Sequence, residues 1–413
     1  MIKFFNKILL RDRLKNYLDI ESNILYLVKA QFFLQLIATS FFLILNIYLS
    51  KSNFSDSEIA DYISYRFLAV IFLSFPFGFL ISYRRLKPFF VFSSIILPIV
   101  AVLLIIMIHF DIREYLRIIF FVWGICFTIF QISVLPFIMR YSSKKTQTFA
   151  ISLSFATHSI AMVFSGLLIF LLDVFFYMQE GGVLILISLL GLGSFYYILK
   201  INEDRLETPN FYHKRKYDWI LILQCIFPTL IIAVGAGLTI PFINLFFYHY
   251  FNLGSSDFAL LGGASSLLVA ISALTVPFIK NKFGFERSII VTQLLAVFAL
   301  VLLATTAYFN DFTFIIYFAI LFYVVRAPLM NMAAPLTSEL TMMYVGKNNQ
   351  EMLSAIVSAI WSGSWFFSSQ IFKKLMNLGY SYSNIFYITS ALYLIGILLY
   401  YFLIKSYKLK HRM

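Results

Sequence analysis

Apolar runs of about twenty residues, separated by short polar breaks, fill most of the chain. A helix needs ~20 mostly apolar residues to cross the hydrocarbon core of a bilayer. The chain offers twelve such runs: roughly 23–50, 57–81, 89–110, 113–139, 147–172, 181–199, 218–250, 255–279, 288–309, 312–336, 350–372 and 383–405. The tightest break is 110–113, where His109, Asp111 and Arg113 must make a short turn. The longest is 200–217, which carries Pro209 and charges of both signs and has the composition of a mobile connector. It divides the runs six and six. The pattern predicts an all-α integral membrane protein with twelve transmembrane helices in two six-helix bundles, 23–199 and 218–405, joined by a linker at 200–217.

Composition agrees with lipid as the main solvent. The 413 residues are 61% hydrophobic and 12% charged, whereas a soluble domain carries about 25% charged residues. The net charge of +13 is explained by where the basic residues sit. With the N-terminus inside, 24 of the 32 Lys and Arg fall in cytoplasmic segments and five (Lys51, Arg113, Arg117, Lys373, Lys374) at the outer face. That bias places both termini in the cytoplasm, in the cell membrane and by expectation a prokaryotic inner membrane, and nucleic acid need not be invoked. Residues 1–22 carry Lys3, Lys7, Arg11, Arg13 and Lys15 among apolar residues. They read as a basic amphipathic segment on an anionic membrane surface, or as a charged lead-in to the first span. Residues 406–413 form a basic cytoplasmic tail. Cys126 and Cys225 both lie inside apolar runs, so no disulfide framework is indicated.

The chain echoes itself. Gly78 to Pro88 is a short basic turn with Arg84, Arg85 and Lys87 between two apolar runs. Pro277 to Arg287 repeats it with Lys280, Lys282 and Gly284. The same offset of 199 relates Glu58 to Asp257, Ala60 to Ala259 and Pro136 to Pro335, and Asn46 and Asn244 are one residue off it. Chance matches are cheap in apolar helices, but one register kept across a loop, a helix start and a proline suggests a duplication, as in many secondary transporters.

Six plus six spans, a central linker and basic turns after spans two and eight resemble the major facilitator superfamily. In that family the turn reads glycine, three residues, aspartate, a basic residue, one residue, glycine, then basic residues. Gly78 fits the first position, while Ser82 stands at the aspartate and Arg85 at the second glycine. The second copy keeps Lys282 and Gly284 but has Pro277 and Asn281 for the first glycine and the acid. Gly235 to Asn244 on span seven and Arg326 to Pro335 on span ten resemble multidrug-type members. The resemblance implies two bundles rocking about a central cavity lined by spans one, four, seven and ten, with span two against span eleven. It also implies a monomer, and the sequence itself gives no sign of a required prosthetic group. With Ser82 and Asn281 at the acidic positions, the sequence departs from that family's charge-paired gate.

Ionisable groups inside the membrane cost ~2.5–3.5 kcal/mol on insertion scales and so mark candidate sites. By the resemblance, Arg326 faces the cavity, and its fork of donors suits a carboxylate or phosphate. Otherwise it caps carbonyls near Pro328 or pairs with a neighbouring helix. Arg66 reads as an interface or gating residue rather than a substrate ligand. It is about 140° around the helix from Asp61, so the two are no obvious intrahelical pair. Span eleven offers Ala355, Ala359 and Gly363 at four-residue spacing for close approach to span two. His158 is a proton relay or a satisfied interhelical hydrogen bond. Asp61 is the best acidic candidate for coupling or a solvated helix start. The neutral cavity set is Gln31, Gln35, Asn46, Gln131, Asn244 and Asn331. Arg84, Arg85, Lys282 and Gly284 join the gating candidates through the two basic turns.

The reading is therefore a secondary transporter of a small organic solute. Arg326 favours an anion, the multidrug-like stretches favour export, and a proton is the candidate coupling ion. An integral membrane enzyme acting on lipids needs acids, bases or metal ligands gathered at one interface, and the five histidines are scattered. A lipid-linked oligosaccharide flippase has similar length and basicity, but the repeat at offset 199 argues against it.

Overall fold

The structure is a computed structural model that describes residues 19–81, 84–143, 146–203, 217–346 and 349–410. The helices fall in the expected order. They are α1 (Ser22–Lys51), α2 (Asp56–Ile81), α3 (Lys87–His109), α4 (Leu116–Tyr141), α5 (Gln147–Phe176) and α6 (Glu180–Leu199), then α7 (Trp219–Phe251). One run, Ser255–Thr306, turns at Gly284 into α8 (255–283) and α9 (285–306), followed by α10 (Ile315–Val345), α11 (Gln350–Asn377) and α12 (Tyr382–Lys410). Ten helices among the described residues are long and apolar enough to cross a membrane. Helices α2 and α11 fall outside that set, at 26 and 28 residues. They carry Asp56, Glu58, Asp61, Arg66, Lys373 and Lys374.

Three boundaries differ from the sequence reading. Pro136 and Pro335 lie within α4 and α10, which run on to Tyr141 and Val345. A proline forfeits one ladder hydrogen bond, a loss that helix packing in a membrane tolerates. The last helix continues through 406–410, five residues of the expected tail. The expected amphipathic segment 1–22 and linker 200–217 lie largely outside the described residues, as do Ser82 and 411–413.

Local chemistry starts several helices. Ser55 and Glu58 form a reciprocal capping box at α2: the Ser55 backbone N–H donates to Glu58 Oε2 at 2.9 Å and the Glu58 N–H to Ser55 Oγ at 3.3 Å. Asp218 caps α7 by accepting from the N–H groups of Ile220 and Leu221. Glu203 accepts from the N–H groups of Leu86 and Lys87 at 2.8 and 2.7 Å and so caps α3 from the linker side. Gly284 takes φ 77°, a left-handed conformation that lets the chain reverse between α8 and α9.

Helices α1 to α6 pack among themselves, and α7 to α12 do the same, with α2 against α11 and α5 against α8 joining the two groups. The terminal face is the end of the bundle that holds residues 22, 200–203, 217–218 and 410, and the distal face is the opposite end. Glycines set the closest approaches. A Cβ on Gly124 would stand 2.3 Å from the Arg66 carbonyl, so α4 lies directly on α2. A Cβ on Gly166 would stand 2.4 Å from the Ala259 carbonyl, where α5 meets α8. Gly235 and Gly237 bring α7 against Tyr393 of α12 and Ser368 of α11. A Cβ on Gly363 would meet Ile71 of α2 at an ordinary 3.6 Å and Ala359 is exposed, so that small-residue stripe is a looser contact than the α5–α8 crossing.

The helix irregularities repeat at the same offset as the sequence. A π-turn occupies Phe41–Leu45 in α1, and a 3₁₀ turn occupies Ile240–Phe242 in α7, where Pro241 lacks an N–H. Gly124→Val forces branched atoms against backbone and should lower stability by about 1–3 kcal/mol. Gly363→Ala should be near neutral. Thermal melting of the two detergent-purified variants checks this, and equal midpoints would contradict the packing described.

Candidate functional site

A cavity of about 730 Å³ lies between the two groups of helices. Its distal floor is made by Phe41, Leu45 and Asn46 of α1 with Ile240 and Pro241 of α7. Its walls continue toward the terminal face through Gln131 of α4 and Ser338, Thr341 and Met342 of α10. Helices α2, α5, α9, α11 and α12 also contribute, beyond the four spans expected from the sequence.

The candidate residues separate into two sets. Gln35, Asn46, Gln131, Asn331, Arg66 and His158 line the cavity. Arg326, Gln31 and Asn244 do not. Arg326 is buried at 4% exposure behind Tyr393, whose hydroxyl accepts from Arg326 Nη2 at 3.4 Å, and Arg326 Nε has no partner among the described residues. Its depth was readable from the sequence, but its azimuth turns it into the α7–α12 group, so the cavity-facing placement expected for it is corrected. Gln31 is held by Ser154 of α5, which donates to Gln31 Oε1 at 2.7 Å while Gln31 Nε2 donates to the Ser154 carbonyl. Arg84, Arg85 and Lys282 are exposed at the terminal face. The Arg84 carbonyl accepts from Arg140 Nη1, and Lys282 lies near the Phe283 ring.

Arg66 is held by aromatic faces. Its guanidinium lies 4.1 Å from the Trp123 ring centroid, 5.3 Å from Phe127 and 5.6 Å from Phe67. Cation–π contacts contribute ~0.5–2 kcal/mol each, so three of them offset most of the ~2.5–3.5 kcal/mol insertion cost. Among the described residues no carboxylate or other hydrogen-bond acceptor pairs with it. Next to it in the lining, His158 Nδ1 is 3.2 Å from Gln35 Oε1. No Asp or Glu appears among the lining residues, and no group of three or more His, Cys, Asp or Glu among the described residues is placed to hold a metal.

The distal floor is a reciprocal clasp. Asn46 Nδ2 donates to the Pro241 carbonyl at 2.6 Å and to Asn244 Oδ1 at 3.1 Å, and Asn244 Nδ2 donates to the Leu43 carbonyl at 3.2 Å. Each asparagine thus reaches the carbonyl three residues before the other. The clasp escaped sequence reading because both residues were assigned to the cavity. Their shared offset was the available signal.

Charges close the same face further out. Asp61 is 5% exposed and takes Arg117 on Oδ2 and Lys373 on Oδ1, each at 2.9 Å. Gln370 adds 3.2 Å to Asp61 Oδ1 and 2.6 Å to Ser64 Oγ. Asp56 accepts from Tyr382 at 2.7 Å and lies 3.0 Å from His249 Nε2. Glu180 pairs with Lys51 and accepts from Ser255. Hydrogen bonds and ion pairs between the two groups gather at this distal end. Outside the spans, the Asp111 hydrogen bond, and then Glu58, hold the Arg113 guanidinium above its ordinary range.

This is the architecture of a membrane transporter: two helical groups, one closed face and a cavity between them. The chain belongs to the Major Facilitator Superfamily, whose family model matches residues 27–369. That family is one of transporters rather than enzymes. Solved structures agree on the fold. A bacterial homologue of the iron transporter ferroportin in its inward-facing state is 12% identical, covering 93% of this chain and 98% of that chain, with a TM-score of 0.72. The outward-facing state of a bacterial ferroportin homologue is 14% identical with the same coverage and a TM-score of 0.59. A D-xylose–proton symporter is 12% identical, covering 91% and 96%, with a TM-score of 0.70. No curated protein sequence matches.

Removing the Asp61 charge strands Arg117 and Lys373 against each other, whereas removing Lys373 leaves Asp61 paired with Arg117. Breaking a fully buried pair costs ~3–5 kcal/mol. Here the partners are partly exposed, so Asp61→Asn should cost roughly 2–3 kcal/mol and Lys373→Gln clearly less. A double-mutant cycle on thermal stability checks this. Additive losses, or a larger loss from Lys373→Gln, would contradict the hub.

Proposed function

We propose that the protein is a secondary active transporter that moves a small organic solute across the membrane by alternating access. The observation that carries this reading is the one-sided closure: a 730 Å³ cavity whose distal floor is sealed by paired groups from both halves. With the Lys- and Arg-rich ends in the cytoplasm, the structure is inward-open. The higher TM-score against an inward-facing relative than an outward-facing one supports that assignment. Sealing the terminal face and breaking the Asn46–Asn244 clasp and the Asp61 hub would expose the cavity to the other side.

Export is the proposed direction, supported by the multidrug-like stretches Gly235 to Asn244 and Arg326 to Pro335. The proton is the proposed coupling ion, and Asp61 and His158 are the titratable groups placed to respond to it. Asp61 joins the two halves and His158 faces the cavity. The chain acts as a monomer in this scheme, with its setting the cell membrane of a prokaryote.

Accessibility tests the reading. Cys126 and Cys225 are buried, so a single cysteine at Ser338, on the α10 cavity wall, reports its surroundings. It should react with a membrane-impermeant maleimide in inverted vesicles and stay protected in intact cells. Reaction from the outside alone would overturn the inward-open assignment.

A further inference from the structure

Resting on the transporter reading, we infer that the cavity selects an organic carboxylate with a flat apolar body, and that Arg66 recognises its charge. Arg66 is the one permanently charged side chain in the lining, and no carboxylate among the lining residues answers it. The nearest acid on its own helix, Asp61, is committed to Arg117 and Lys373 at the distal face. A guanidinium among apolar walls with no protein anion keeps its charge and donors for a bound one. The substrate supplies that anion.

The geometry specifies more than charge. Trp123, Phe127 and Phe67 surround the guanidinium at 4.1 to 5.6 Å and offer it ring faces rather than hydrogen-bond acceptors. No protein acceptor among the described residues takes its N–H donors, which leaves them for a fork-to-fork pair that a carboxylate matches and a halide or an amine does not. His158 lines the same cavity, with one ring nitrogen engaged by Gln35 and the other left for the ligand. Trp361 and Trp365 of α11 line the cavity as well and provide apolar surface for a planar body. The same lining disfavours a divalent cation, since one imidazole and no carboxylate make a poor oxygen-ligand set for it.

Arg326 is the competing cation, and its surroundings assign it a different role. It lies behind Tyr393, with Tyr323 and Tyr393 around it, and a solute in the cavity meets the tyrosine before the arginine.

Three of the four tryptophans line the cavity while Trp219 is exposed outside it, so intrinsic fluorescence reads occupancy. The test uses the detergent-purified full chain and three nearly isosteric quenchers: 4-nitrobenzoate, 4-nitrobenzamide and 4-nitrobenzylammonium. Quenching is corrected against free N-acetyltryptophanamide. Saturable quenching by the benzoate is expected at concentrations at least ten-fold below either analogue. Arg66→Gln should abolish that preference, and Arg326→Gln should preserve it. If Arg66→Gln fails to fold, Arg66→Lys, which keeps the charge but loses the fork, should reduce the preference several-fold. The wild-type ratio decides the matter even without a variant: equal or tighter binding of the amide or the ammonium overturns the inference. Uptake into proteoliposomes separates this outcome from failure of the transporter reading. Arg66-dependent binding with no translocation keeps the site and defeats transport. Translocation of neutral compounds with no preference for the anion keeps transport and defeats the site.

Discussion

Two buried amides that bond across the two halves govern this structure. Asn46 and Asn244 are 4% and 2% exposed where α1 crosses α7. A primary amide buried without hydrogen bonds costs several kcal/mol, so each must find partners on the opposite helix. The acceptors are Leu43 and Pro241, and both sit in irregular turns where the regular ladder is interrupted. The irregularities and the asparagines therefore form one device. It fixes the crossing of α1 and α7, floors the cavity, and ties the two halves together at one end.

The rest of the distal face follows from that crossing. Once α1 and α7 are clasped, α5 can lie on α8 through Gly166 and Ala259, and α2 on α11 with Phe67 against Trp365 at 5.1 Å. Asp61 then falls between Arg117 of its own half and Lys373 of the other, which makes its charge part of the closure. The cavity extends from there toward the other end along α10. A distal face closed by pairs from both halves, with a cavity running toward the opposite end, is what one stage of a rocking cycle requires. The substrate and the gate also occupy neighbouring turns of one helix, Arg66 and Asp61 on α2, so occupancy of the cavity can bias the hub.

The fold was legible because its signals are additive over many residues. Twelve apolar runs and a repeat offset survive any single ambiguous position, and the offset even relates the π-turn of α1 to the 3₁₀ turn of α7. The site was less legible because its signals are single residues. Depth along a helix can be counted, and that count put both Arg326 and Arg66 inside the membrane. Rotation about the helix axis cannot be counted when most of the circumference is apolar, and rotation decided that Arg66 lines the cavity while Arg326 is shut behind Tyr393. Glycines posed a similar problem. The spaced Ala355, Ala359 and Gly363 drew attention to α11, while the tightest interhalf crossing uses the isolated Gly166 against Ala259. Asn46 and Asn244 were recognised as polar and paired by offset, but a polar residue facing a cavity and one facing its counterpart look alike in sequence.

The central claim is that the asparagine clasp holds the distal face shut. Spin labels at Ser52 and Asn252, in the turns after α1 and α7, report that face directly by electron–electron distance measurement. The account predicts one narrow short distance in the wild type and an added, longer population in the Asn46→Ala, Asn244→Ala double variant. An unchanged distribution in the double variant would show that the charges and packing hold the face without the clasp, and would contradict the account.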